Sequence, residues 1–214
     1  MKQLFLFVVL IHFAFVASAQ HVAMSADKMN LLYVGVPNPV TVVAEGLQCK
    51  NINIAIEGAQ IAPGDEPCKF NVVVSKPGKV VAKVFTVSKQ GSKVVGEVEF
   101  RIKRMPLPSV FVAGRSYGVI KKTILNDQLG IVLHSECFDD FDEHILVKNF
   151  KVSIIRDNKP IFEKLCQGGK FDDEVINTMK TLRAGDHFQC SEVIFSGLGY
   201  KDALANDIEL TLID

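Results

Sequence analysis

The residues best suited to chemistry are two His/Cys pairs, His134-x-x-Cys137 and His187-x-x-Cys190. Imidazole and thiolate are the usual zinc ligands. Both pairs fall in runs that read as strands, where side chains three apart point to opposite faces. One pair would reach an ion only across a turn or bulge, so ordinary strand positions are expected. Asp139, Asp140, Asp142 and Glu143 cluster around Phe141 and have calcium-ligand chemistry. They lack the Asp-x-Asp-x-Asp-Gly spacing of a calcium hand, and a solvated turn is expected. Ser109, Ser116 and Ser191 have no nucleophile-elbow context, and Gly168-Gly169 and Gly114-x-x-x-Gly118 lack the Lys-Ser/Thr ending of a phosphate loop. No nucleophile, base and oxyanion set assembles. No catalytic, cofactor-binding or metal residue is assigned, and an enzyme, including a small secreted hydrolase, is not expected.

Composition narrows the class. The 214 residues carry 24 Lys+Arg against 24 Asp+Glu, and 48% are hydrophobic. Zero net charge argues against a nucleic-acid binder that works by phosphate neutralisation. A charged fraction of 22% argues against a disordered polyelectrolyte. The length allows one or two domains with real cores.

Residues 1–20 read as a secretory signal peptide, with Lys2 as the positive region and residues 4–16 as the apolar one. Ala17-Ser18-Ala19 is a small-x-small site, so cleavage is expected after Ala19. The apolar run is 13 residues, short of the ~20 of a membrane span. A soluble, periplasmic or secreted chain without a membrane span is the expectation. Export permits disulfides among Cys49, Cys68, Cys137, Cys166 and Cys190. Cys49 and Cys68 each precede a strand-like run, which makes a bridge between neighbouring strands one reading and unconnected buried thiols the other.

The elements that must position these residues are mostly strands. Ile52, Ile54 and Ile56 alternate with Asn51, Asn53 and Ala55; Val94, Val98, Phe100 and Ile102 alternate with Glu97, Glu99, Arg101 and Lys103. Residues 31–34, 40–44, 70–74 and 80–88 add further strands, separated by Pro37-Asn38-Pro39, Pro63-Gly64, Pro77-Gly78 and Gln90-Gly91-Ser92. Six or seven short strands so spaced predict an immunoglobulin-like β-sandwich over residues 20–104. Met105-Pro106-Leu107-Pro108 interrupts any regular element and is taken as a stiff linker. Beyond it, 105–214 reads as a second β-rich (α+β) domain. Phe150, Val152 and Ile154, and later Ile208, Leu210 and Leu212, recur at strand period. Between them residues 172–184 carry a helix pattern, with Val175, Ile176, Met179 and Leu182 on one face, Lys180 and Arg183 in the last turn and Gly185 as left-handed cap. A weaker helix spans 122–128. The halves differ in charge. Residues 20–104 hold 11 Lys/Arg and 7 Asp/Glu, a net of +4; residues 105–214 hold 12 and 17, a net of −5. Opposite signs favour docking within a chain or end to end between chains.

The run Ser25-Ala26-Asp27-Lys28-Met29-Asn30-Leu31-Leu32-Tyr33-Val34-Gly35-Val36-Pro37-Asn38-Pro39-Val40 resembles the start of the third periplasmic domain of the gliding-motility protein family GldM (PorM). Residues 94–105, with their Phe100-Arg101-Ile102-Lys103-Arg104-Met105-Pro106 end, look like that domain's exit into the fourth. Gly185-Asp186 and Glu192-x-Ile194-x-x-Gly197 are similar to the fourth domain's closing pattern. The resemblance implies a module like the distal part of a dimeric periplasmic shaft, which in the family belongs to a proton-driven motor of gliding and type IX secretion in Bacteroidetes. The family's transmembrane helix and helical first domain have no counterpart here, so fold and interaction role are the expectation and proton coupling is not. The expected role is a stand-alone, exported, non-enzymatic protein-interaction module, with an envelope protein or a second copy as partner and no nucleic acid. The alternative is a secreted or surface recognition module for glycan or host protein.

Overall fold

Period-two alternation builds two stacked sheets from the first hundred residues. The computed structural model describes residues 22–26, 30–88, 91–135 and 144–214. The signal-peptide segment, the acidic cluster at Asp139–Glu143, Cys137, Gln90 and residues 27–29 of the family-like run lie outside them.

The first sheet orders β1 (Val22–Ala26), β3 (Asn38–Ala44), β6 (Lys69–Val74) and β5 (Ala59–Pro63). The second orders β2 (Leu31–Tyr33), β8 (Gly91–Lys103), β7 (Gly78–Ser88) and β4 (Ile52–Ile56). All neighbours are antiparallel except β2 with β8. The facing sides meet in one core that includes Leu32, Val40, Val42, Ile54, Val72, Ala82, Val84 and Phe100. This is the expected immunoglobulin-like sandwich. Two strands escape the sequence reading: β1, and β5, which runs into Pro63 where only a turn was expected. Proline is tolerated there because β5 is an edge strand.

One expected side-chain phase is corrected. Val84 pairs with Gly96 but Phe85 with Val94, so Val95 is an extra residue in β8. The bulge turns Val94 outward, 44% exposed, and brings Val95 onto the core instead. Cys49 and Cys68 do form a disulfide. It does not join neighbours in one sheet: Cys49 leads into β4 and Cys68 into β6, so the bond ties the two sheets together.

The second half is one six-stranded sheet with helices on its inner face. The order is β10 (Tyr117–Lys121), β16 (Ile208–Ile213), β14 (His187–Gly197), β12 (Leu146–Arg156) and β13 (Lys159–Gln167), with β15 (Tyr200–Leu204) also on β14. A ribbon of β9 (Ser109–Phe111) and β11 (Val132–His134) stands beside it. Phe150, Val152, Ile154, Phe188, Leu210 and Leu212 face helix α1 (Lys122–Asn126) and helix α2 (Asp173–Met179), which contribute Leu125, Val175 and Met179. Phe171 closes the layer edge-on against Phe150 and Phe188.

Helix α2 is shorter than the pattern predicts. Asp172 caps it by accepting from the Val175 amide at 3.0 Å, but it ends at Met179. Arg183 therefore lies beyond the last turn. Gly185 is left-handed, yet its amide donates to Leu212 O, which fastens the loop to β16 rather than capping the helix. Helix α1 likewise stops at Asn126.

Candidate interaction surfaces

The sequence-predicted chemistry disperses in three dimensions. His187 and Cys190 share β14 but point to opposite faces. Cys190 is fully buried, while His187 sits beside Glu209 at 3.5 Å and Thr211 at 3.3 Å on the outer side. His134 ends β11 opposite Ser109 in β9, and both are exposed. Among the described residues no three His, Cys, Asp or Glu side chains converge on a metal position. Burial pushes the thiols of Cys166 and Cys190 up, so neither is a ready thiolate nucleophile. Gly114 and Gly168 occupy left-handed turns, and Gly118 lies in β10.

The residues that carry the family-like motif have a structural job. Asn38 is 2% exposed. Its Oδ1 accepts from the Tyr33 amide at 2.7 Å, and its Nδ2 donates to the carbonyls of Tyr33, Val36 and Val72 at 2.9, 3.0 and 2.9 Å. That one side chain holds the turn 33–38 against β6. The turn in turn meets the second half of the chain. Val36, Met105 and Leu198 form a small buried cluster between the two main cores, with Tyr33, Ile145 and Tyr200 around it. Tyr200 Oη donates to Met105 O at 2.5 Å. Gly35 and Gly199 lie backbone to backbone: a Cβ on Gly199 would stand 2.1 Å from Val34 O, and one on Gly35 2.8 Å from Gly199 Cα. Only glycine permits this approach. The Met-Pro-Leu-Pro segment is thus anchored at Met105, 2% exposed, rather than a free spacer.

The second set of motif residues is structural too. Asp186, also 2% exposed, takes a two-pronged ion pair from Arg156, Nε to Oδ1 and Nη2 to Oδ2, both 2.7 Å, and accepts from the Arg183 amide at 2.8 Å. The hydrogen bond from Arg156 holds its carboxyl below the usual aspartate range. Glu192 sits with φ 52° at the bulge of β14, and Gly197 packs where a Cβ would lie 2.2 Å from His144 O. None of these features was legible as packing, because each depends on a partner far along the chain.

What remains available to a partner is surface. Edge strands β10 and β13 flank the large sheet. β13 carries Pro160, Lys159 and Lys164 beside exposed Ile161 and Leu165, and β10 exposes Tyr117 (81%) and Val119. An open groove of about 520 Å³ lies on the sandwich over Ala55, Glu57, Val81 and Lys83, bordered by the Lys79–Glu99 pair at 2.8 Å. Another, of about 300 Å³, lies over β10, β16 and β14. No described helix is long and apolar enough to cross a membrane.

Solved structures similar to the chain include fibronectin(III)-like modules of Clostridium thermocellum CbhA, at 11% identity and TM-score 0.30, covering 90% of this chain and 93% of that one. The Yersinia pseudotuberculosis adhesin InvE aligns at 8% identity and TM-score 0.30 over 92% of this chain and 59% of its own. SGBP-B of a Bacteroides ovatus mixed-linkage glucan utilization locus, in complex with a mixed-linkage heptasaccharide, aligns at 12% identity and TM-score 0.28, over 75% of this chain and 47% of that one. No curated protein matches. Residues 21–103, which build the sandwich, match the family model of the GldM third domain.

Proposed function

We propose that the protein is an exported, non-enzymatic protein-contact module related to the distal shaft of GldM, acting in the envelope with gliding or type IX secretion components. The family match over residues 21–103 carries this reading. The second half would stand where the fourth GldM domain stands, on the strength of its Gly185-Asp186 and Glu192-x-Ile194-x-x-Gly197 pattern. Residues 1–19 would direct export and be removed, leaving a periplasmic or secreted chain. Sheets locked at a glycine-lined junction suit a part that holds shape while loops and strand edges make contacts. Motor activity is not part of the proposal. The partner is an envelope protein or a second copy of the chain.

Affinity capture from native envelopes with the tagged full chain tests the reading. Recovery of shaft or lipoprotein-ring components is the expected result. Repeated capture that never recovers them ends it.

A further inference from the structure

The outer face of the large sheet carries a row of side chains that runs across the strands. Tyr117 pairs with Glu209, Glu209 with Gln189, Gln189 with Ser153, and Ser153 with Glu163. Register partners share a face, so these five line up over β10, β16, β14, β12 and β13. At strand spacings of about 4.8 Å the row is about 19 Å long. Its β10 end is concave: the groove of about 300 Å³ is lined by Ser116, Tyr117, Gln189, Ser191, Asp207 and Glu209. That volume is at the lower bound of small-molecule clefts.

We infer that this groove is a binding site for a neutral oligosaccharide, with Tyr117 as its stacking platform. Tyr117 is 81% exposed, the most solvent-open of the large hydrophobic side chains among the described residues. An aromatic face left in water at a groove rim matches the apolar C–H face of a pyranose. The groove's hydrogen-bonding groups are idle: the side chains of Ser116, Tyr117, Gln189 and Ser191 make no hydrogen bond within the described residues. Hydroxyls and an amide both donate and accept, as sugar hydroxyls do. Glu209, 3.5 Å from His187, and Asp207 also line the groove, so a cationic ligand is the competing occupant, for which tetralysine is the control. Ser153, small and 6% exposed, keeps the middle of the row low, so a linear chain can continue from the groove toward Glu163. This site is independent of the protein contacts proposed above.

The experiment is an NMR titration of the isotope-labelled chain with cellohexaose, chitohexaose and mannohexaose, each up to about 10 mM, above the millimolar Kd of a single-platform site. The expected result is that at least one sugar shifts the amides of Gln189, Ser191 and Glu209. Tyr117→Ala should weaken that binding about tenfold, which corresponds to one aromatic contact. Gln189→Ala should weaken it as well, with both variants keeping the wild-type spectrum elsewhere. The inference is overturned if no sugar shifts these amides, if both variants bind as wild type does, or if tetralysine alone moves them.

Discussion

At the scale of single residues, the buried polar side chains decide more than the apolar ones. Asn38 satisfies one amide and shares its two N–H groups among three carbonyls. Asn38→Ala removes all four of these hydrogen bonds at a buried site, and should cost about 2–3 kcal/mol in urea unfolding. Asp186 gives a pH signature. Its folded-state carboxyl is depressed, chiefly by Arg156, so it contributes stability above the ordinary carboxylate pKa of about 3.9. That stability is lost as pH falls through the lower folded value. Glu163 and Asp202 are depressed too, by Lys151 and Lys148, and act in the same acid window. Comparing wild type with Asp186→Asn between pH 7 and pH 3 isolates the Asp186 share. The variant should be less stable at pH 7 by about 2 kcal/mol, and the gap should begin to narrow only below about pH 3.9.

At the scale of elements, the Cys49–Cys68 bond acts on the sandwich as a whole because it spans its two sheets. It closes a loop with a sequence separation of 19. In the loop-entropy description that is worth about 3 kcal/mol. Cys49→Ser with Cys68→Ser should lower the thermal midpoint, and reductant should lower wild type to the same value while leaving the double variant unmoved. Helix α2 is a smaller lever. Asp172→Ala removes its cap and should cost about 1 kcal/mol, read by the same melt. The strand phases were readable where pairing is regular, as at Ile208, Leu210 and Leu212. They failed at Val94, because a bulge inserts one residue and no local pattern announces it. Helix α2 was over-extended for a related reason: Leu182 is apolar and buried, but it reaches the core from the turn after the helix.

For the whole molecule, the junction is the decisive feature. Gly35 and Gly199 touch through their backbones, and Val36, Met105 and Leu198 plug the space beside them. Gly199→Ala forces a Cβ into Val34 O and should cost about 1–3 kcal/mol of overpacking. Because the two large cores share no residue, the strain should release by parting them. Small-angle scattering should show a larger radius of gyration and a broader conformational spread in the variant, with both cores still melting cooperatively. An unchanged scattering curve would mean that the junction does not set the shape.

Alternation and turn residues were enough to establish from the sequence a β-rich chain with an immunoglobulin-like first part and a sheet-plus-helix second part. Those are local properties: side chains two apart share a face, and Pro or Gly ends a run, whatever lies elsewhere. The roles of Gly35, Asn38, Asp186 and Gly197, the sheet-to-sheet course of the disulfide and the cross-strand row ending at Tyr117 came only from the tertiary structure. Each is a relation between residues far apart in the chain, fixed by register and by how closely two backbones approach, and a one-dimensional pattern holds no record of either.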